Sequence, residues 1–311
     1  MNPKYQMLAI LGPTASGKTS VAVHCALNLN GEVISADSRQ VYRGMDIGTG
    51  KDTADYTVNG VTVPCHLTDI IDAGEKYNVF RYQNDFFKAY SDIRNRKKFP
   101  VLCGGSGLYL ESVLKKYNLT QVPKNQELRK ILQDKSLEEL IDILKQKKSD
   151  LHNTTDFEDT RRAIRAIEIE DYIKTHPLEK SPVPEIKTLI IGIKSERDII
   201  RQRITDRLKA RLKEGMTEEI ENLLKSGITP EQLTYYGLEY KFVTLYITGQ
   251  MDYKEMFTRL EIAIHQFSKR QMTWFRGMER RGIPIHWIDS ITPPEQKLDL
   301  IKSWLTEQKT N

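Results

Sequence analysis

One run near the amino end constrains this chain more than any other: Gly12-Pro13-Thr14-Ala15-Ser16-Gly17-Lys18-Thr19, with the spacing G-x-x-x-x-G-K-[ST]. The apolar run Met7 to Leu11 before it reads as a buried strand, and residues 20–27 after it read as a helix. Strand, glycine-rich turn and helix, in that order, are the context a phosphate cradle needs. Glycine lets backbone N–H groups turn inward around an anion, and the helix amino end adds partial positive charge. Gly12, Thr14, Ala15, Ser16, Gly17, Lys18 and Thr19 are therefore candidate diphosphate ligands. Lys18 can neutralise the anion, and the Thr19 hydroxyl can hold Mg²⁺. The competing reading is a plain glycine turn between strand and helix. The motif specifies a diphosphate and leaves open what carries it.

At 311 residues the chain exceeds one typical domain and is short for three. Charged residues make up 29%, and no apolar run approaches the roughly 20 residues of a membrane span. No signal or transit peptide precedes the first strand, so a cytoplasmic protein is expected. Cys25, Cys65 and Cys103 are scattered without a C-x-x-C pair, which fits reduced thiols. A net charge of +5 permits a polyanionic partner without specifying one.

Residues 32–36 read as a second strand, ending in Asp37-Ser38-Arg39-Gln40-Val41-Tyr42. An acid at the carboxyl end of a strand beside a phosphate loop lies where open α/β sheets bind ligands. Asp37 is thus either a catalytic or metal-positioning carboxylate or the cap of the next turn. The glycine-rich run 43–51 reads as a flexible connection. Residues 64–72 read as a short strand ending in acid, with His66 a hydrogen-bonded structural residue. Residues 78–96 have helical spacing and core aromatics. Pro100 to Cys103 reads as another strand, followed by Gly104-Gly105-Ser106-Gly107 and a helix. A G-x-S-x-G nucleophile turn fails because Leu108 occupies the last glycine position. Ser106 is then a helix cap or a hydroxyl facing the loop's ligand, and capping leads.

The character changes after residue 115. Residues 125–180 carry Lys, Glu, Asp and Leu/Ile at helical spacing, which reads as an inserted helical module. Within it Arg161 and Arg165 share a helix face bordered by Arg162. A solvated face competes there with a phosphate-backbone contact, since the arginines have no adjacent acids. Pro177, Pro182 and Pro184 mark the exit. Residues 188–193 return the chain to the sheet. On the helix that follows, Arg203 and Arg207 lie one turn apart and could reach a second side of a diphosphate, or simply be solvated. Later, Lys269-Arg270-Gln271-Met272-Thr273-Trp274-Phe275 interleaves basic and aromatic residues, which suits nucleic acid, although Trp274 and Phe275 read first as core.

These motifs together resemble the tRNA dimethylallyltransferases, also called tRNA isopentenyltransferases. The matching pieces are Gly12 to Thr19, Asp37 to Tyr42 with Met45 to Thr49, His66-Leu67 with Asp69, Gly104 to Tyr109, Arg162 to Glu168, and Lys269 to Phe275. Their order spans nearly the whole chain. The resemblance implies a P-loop NTPase-like α/β fold, a parallel sheet flanked by helices. Residues 1–115 and 186–311 would form that core, and 116–185 a helical insertion gripping the tRNA anticodon stem-loop. It implies transfer of a dimethylallyl group from dimethylallyl diphosphate to N6 of the adenosine just 3′ of the anticodon, in tRNAs reading codons that begin with U. Asp37 would be the base, with Thr19 and Ser106 also catalytic. Asp37, Ser38, Arg39, Gln40, Ser106, Arg129, Arg161, Arg162 and Arg165 would touch RNA. A compact bacterial, cytoplasmic monomer using Mg²⁺ is implied.

Several positions depart from the family's usual pattern. Ser106 stands for Thr, Cys65-His66 for a double His, and Ile47-Gly48-Thr49-Gly50-Lys51-Asp52 for I-G-T-A-K-P. Arg161-Arg162 stands for Q-R, and Tyr236-Gly237-Leu238-Glu239-Tyr240 for I-G-Y-K-E. These imply a divergent member with altered tRNA preference rather than altered chemistry. Other readings of the loop are a small-molecule kinase using ATP, an RNA-stimulated ATPase, and prenylation of free adenine nucleotides. The Asp37–Tyr42 and Lys269–Phe275 blocks are not kinase features.

Overall fold

The computed structural model describes residues 4–117, 119, 121–147, 159–176 and 184–306. The chain divides into two compact units, Met1–Tyr117 with Pro184–Asn311, and Asn118–Val183.

In chain order, the first unit opens with β1 (Met7–Leu11), α1 (Lys18–Asn28) and β2 (Gly31–Ala36). A 3-10 turn and the small hairpin β3 (Thr57–Val58) and β4 (Val61–Thr62) follow. Then come β5 (Cys65–His66), α2 (Val79–Asn95), β6 (Phe99–Gly104) and α3 (Gly107–Leu114). The second unit holds α4 (Gln126–Leu132), α5 (Leu137–Lys147) and α6 (Thr160–Thr175). The first unit resumes with β7 (Thr188–Lys194), α7 (Arg197–Lys213), α8 (Met216–Lys225), α9 (Pro230–Tyr235) and α10 (Leu238–Ile247). It ends with α11 (Tyr253–Arg280), β8 (His286–Asp289) and α12 (Pro294–Thr306).

The sheet runs β5-β2-β6-β1-β7-β8, every neighbouring pair parallel. A parallel sheet is covered on both faces, so its strands read as unbroken apolar runs. In β1 the side chains alternate between two cores. Met7, Ala9 and Leu11 pack on one face with α2, α7 and α11 side chains, while Leu8 and Ile10 pack on the other with α1 and α12. Each large side chain so buried contributes about 1.5–3 kcal/mol.

The expected strand over 64–72 shrinks to Cys65–His66, with Tyr42 and Ile71 forming one isolated bridge. Leu67 and Asp69 adopt left-handed backbone there, which breaks the ladder. His66 is structural, as expected. Its Nε2 lies 2.6 Å from Glu32, which Arg96 also grips. Residues 43–51 are not a loose connection. Lys51 is buried, and its Nζ donates to the Tyr42 carbonyl (2.5 Å), Asp46 (2.7 Å) and Asp69. Glu219 of α8 accepts the backbone N–H groups of Asp46, Ile47 and Gly48.

In the second unit, Leu132, Leu140, Leu144, Ala163, Ala166 and Ile167 form a core of their own. Asn125 caps α4 and Asp159 caps α6. Pro177 and Pro182 lie outside the described residues. Among the described residues no helix is long and apolar enough to cross a membrane, and the three cysteines are free.

Candidate active site

Because β1, β2 and β6 are adjacent and parallel, the loops after them open side by side at one edge of the sheet. Those loops carry Gly12–Gly17, Asp37–Tyr42 and Gly105–Ser106.

The first is shaped as an anion cradle. Gly17 has φ of 82°, a left-handed conformation that favours glycine, and α1 starts at Lys18 directly after it. The loop is braced from outside. The Thr14 N–H donates to Gln271 Oε1 (2.8 Å), and Gln271 Nε2 donates to the Gly105 carbonyl (2.9 Å). One buried amide on α11 thus ties the β1 loop to the β6 loop. The Thr14 hydroxyl accepts from Arg207 on α7. Thr14 is therefore engaged by its neighbours through both donor-bearing groups. The buried Ser16 hydroxyl has no hydrogen-bond partner.

Charges of both signs surround the cradle, with Lys18, Arg207 and Arg211 near Asp37, Asp52 and Glu239. Burial lowers the Lys18 pKa, and among its charged neighbours Arg207 and Arg211 lower it further while Asp37 opposes them. Burial, then the Arg211 charge, pulls the Arg207 guanidinium down to about 10. The three cations thus repel one another while nearby acids offset part of that cost.

Asp37 makes the turn-capping bond. Its Oδ1 accepts the Arg39 N–H (2.8 Å), so it does cap the turn, yet its charge also acts on Lys18 and Arg207. Ser106 goes against the leading expectation. It occupies the cap position of α3 without making a capping bond. Its hydroxyl instead accepts from the Ser38 N–H (3.0 Å) and donates to Ser38 Oγ (3.3 Å). The Asp37–Tyr42 loop and the β6 loop are zipped together there. Gln40 accepts from Ser35 (3.2 Å) and donates to the Gly50 carbonyl (2.8 Å), so its amide braces the loop. Arg39 lies against the Tyr235 ring, 5.3 Å from its centroid.

Arg203 and Arg207 meet the phosphate loop at different places. Arg207 reaches Thr14, whereas Arg203 bonds Ser290 (3.2 Å) and lines a cavity of about 300 Å³ with Ala15, Ser16, Gly17 and Lys297. Arg211 was not foreseen as a site residue. It is only 6% exposed, pairs with Asp52 (3.1 Å), and leaves its Nε buried without a partner. Gly50 makes room for it, since a Cβ there would stand 2.0 Å from Arg211 Nη2. The departures at Gly50 and Asp52 are thus both fitted to Arg211. No sequence signal marks this, because the three residues meet only in the fold. Phe275 is core and Trp274 packs against it, as expected.

The arginines of the second unit need a correction, since an acid does adjoin them. Glu168 is 2% exposed and takes Arg129 (2.9 Å to each carboxylate oxygen) and Arg165. Arg165 also donates to the Val122 carbonyl (2.8 Å). Arg161 and Arg162 are exposed, and Arg162 lies 3.3 Å from Asp159. Among the described residues no group of three or more His, Cys, Asp or Glu side chains could hold a metal.

Comparison with known proteins matches residues 40–278 to the family described as IPP transferase, and residues 5–63 to Isopentenyl transferase. The chain is 60% identical to tRNA dimethylallyltransferase 2 of Bacteroides fragilis, covering 98% of this chain and 99% of that one. It is 61% identical to tRNA dimethylallyltransferase 2 of Porphyromonas gingivalis, over 95% and 97%. The tRNA isopentenylpyrophosphate transferase of Bacillus halodurans superposes with TM-score 0.70 at 33% identity, covering 97% and 95%. A eukaryotic dimethylallyltransferase solved acting on tRNA gives TM-score 0.78 at 22% identity, over 98% and 82%, a likeness of fold.

Proposed function

The chain belongs to the IPP transferase family and prenylates tRNA, and from that premise we propose that it moves a dimethylallyl group from dimethylallyl diphosphate to N6 of the adenosine just 3′ of the anticodon. The observation that carries this reading is that the phosphate cradle and Asp37 follow two parallel strands, β1 and β2, that flank β6, so both open at the same edge of the sheet.

The Gly12–Thr19 loop holds the diphosphate, with Lys18 and Arg207 offsetting the charge that grows as it departs. The adenine leaves its stack to reach Asp37, because N6 is inaccessible inside a stacked loop. The N6 nitrogen forms a bond to the allylic C1 while the C1–O bond to diphosphate breaks. Asp37 takes the N6 proton, restoring a neutral amine. Ser106 acts through Ser38, fixing the loop that carries Asp37. Ser38, Arg39 and Gln40 line the acceptor side.

Mg²⁺ fits this donor set. It keeps most of its waters and needs few protein ligands beside substrate phosphates, so the Thr19 hydroxyl at the helix start is a sufficient anchor. Bound there, it would supply charge neutralisation for the leaving diphosphate. The exposed Arg161 and Arg162 contact the anticodon stem-loop backbone, while Arg129 and Arg165 shape the surface that presents them. The protein acts as a cytoplasmic monomer, with preference for tRNAs reading codons that begin with U.

Mass spectrometry of tRNA after incubation with dimethylallyl diphosphate and Mg²⁺ tests the reading. One added five-carbon group on that adenosine is expected. Unmodified tRNA, or ATP-dependent phosphorylation of a small molecule instead, would overturn it.

A further inference from the structure

Tyr235 is a large aromatic side chain left 54% exposed at the end of α9. It is backed by other aromatic rings. Its ring meets Tyr236 edge-on at 5.7 Å, and the buried Tyr236 meets Tyr42 at 4.6 Å and accepts the Gly74 N–H. Tyr42 closes the same loop that begins at Asp37. On that loop Arg39 lies against the Tyr235 ring, its guanidinium carbon 5.3 Å from the centroid. The Arg39 backbone is itself held by Asp37 Oδ1 (2.8 Å). Among the described residues no carboxylate lies within ion-pair distance of Arg39.

An aromatic ring and a guanidinium with no acidic partner among the described residues, set against each other beside Asp37, match one ligand chemistry. Unstacked bases bind by stacking on aromatic rings and on Arg planes, and the cation also attracts the flanking phosphate. A solvated surface tyrosine needs neither the buried aromatic support nor the cation.

We propose that Tyr235, with Arg39, is a stacking platform for one unpaired RNA base directly beside the adenine that faces Asp37, which makes Tyr235 a specificity-determining residue for the RNA. The proposal rests on the reaction given above. Extruding the adenine leaves its neighbours without a stacking partner, and the platform replaces that partner. Tyr235 touches the flanking nucleotide and takes no part in proton or prenyl transfer.

The test uses the full chain with dimethylallyl diphosphate and an anticodon stem-loop, either intact or made abasic at the 5′ or the 3′ neighbour of the target adenosine. Tyr235→Ala is expected to raise the KM for intact RNA about tenfold, the size of one lost stack. Turnover number and donor KM stay unchanged, and Tyr235→Phe restores the wild-type value. On one of the two abasic RNAs the difference between Tyr235→Ala and wild type disappears, which identifies the stacked base. Equal KM for Tyr235→Ala and wild type on intact RNA would overturn the platform. So would a penalty that persists on both abasic RNAs, because the ring would then be serving the protein or a different partner. Wild type that transfers nothing to intact RNA would sink the reaction itself, and the platform with it. A thermal melt of each variant, expected to match wild type, shows that the exposed ring is not required for folding.

Discussion

Two groups of arginines in this molecule look alike in sequence and differ in what they do. On α6 and α4, Arg165 and Arg129 fork onto Glu168, a carboxylate with 2% exposure. Hydrogen bonds to Glu168 raise the Arg129 pKa. Burial pushes the Glu168 carboxyl up, but its bonds from Arg129, Arg165 and the Asn125 N–H bring it down to about 2. On α7, Arg207 donates to the Thr14 hydroxyl and forms no ion pair among the described residues, and its pKa falls to about 10 because burial and the Arg211 charge outweigh the pull of Glu239, Asp52 and Asp37. The first group is matched by an internal anion and belongs to the fold. In the second, Arg207 has no ion-paired anion among the described residues, which suits the diphosphate proposed for this site. Charge satisfaction, rather than arginine density, separates structure from function here.

The largest effect should come from the acid opposite the unmatched cations. Asp37→Asn should lower the transfer rate about 10²–10⁴-fold, the usual worth of a positioned general base. Equilibrium binding of dimethylallyl diphosphate should stay close to wild type. If the rate holds, Asp37 is only the turn cap that its bond to Arg39 makes it. Lys18→Ala should cost about 10²–10³-fold in transfer. Because Lys18 is ionised at an energetic cost in its buried, cationic setting, the same change should leave the free protein's melting temperature equal or higher. A large fall in melting temperature would mean that the cradle cations are satisfied after all.

The matched cluster is expected to respond in stability alone. Glu168→Gln should destabilise the helical unit by about 2–3 kcal/mol, as a buried ion pair with one partner removed. The Glu168 pKa is lower folded than unfolded, so its contribution is full at neutral pH and fades as pH falls from about 4.5 toward 2. Urea unfolding of wild type and Glu168→Gln across that window should converge at its acid end. Gly50→Ala should cost about 1–3 kcal/mol through clash with Arg211 and the 67° φ, and Arg211→Ala should relieve part of it. The smallest effect belongs to the exposed Arg161. Arg161→Glu should raise the tRNA KM several-fold and reduce its salt dependence by about one phosphate contact.

The apolar runs, the phosphate loop and the placement of Asp37 could be read from the chain because each is a local signal. A buried parallel strand and a glycine turn are written in consecutive residues, as in Met7–Thr19. What could not be read depends on partners distant in sequence. Gln271 looks like one polar residue in a helix until it is seen bridging Thr14 and Gly105. Glu219 gives no hint that it gathers three backbone N–H groups of the 46–48 loop. Arg165 and Glu168 are three residues apart, so their pairing was within reach of helical spacing alone. Ser106 shows the limit of a local rule. It holds the capping position, and its hydroxyl bonds across to Ser38 instead.

The most direct measurement is a crystal structure of the chain with an unreactive thiolodiphosphate analogue of the donor and an anticodon stem-loop. The expected result is a diphosphate seated within Gly12–Thr19 against Lys18 and Arg207, with the extruded adenine N6 about 2.6–3.2 Å from an Asp37 carboxylate oxygen. An adenine turned away from Asp37, or a diphosphate lodged elsewhere while Lys18 and Arg207 remain unmatched, would contradict the account.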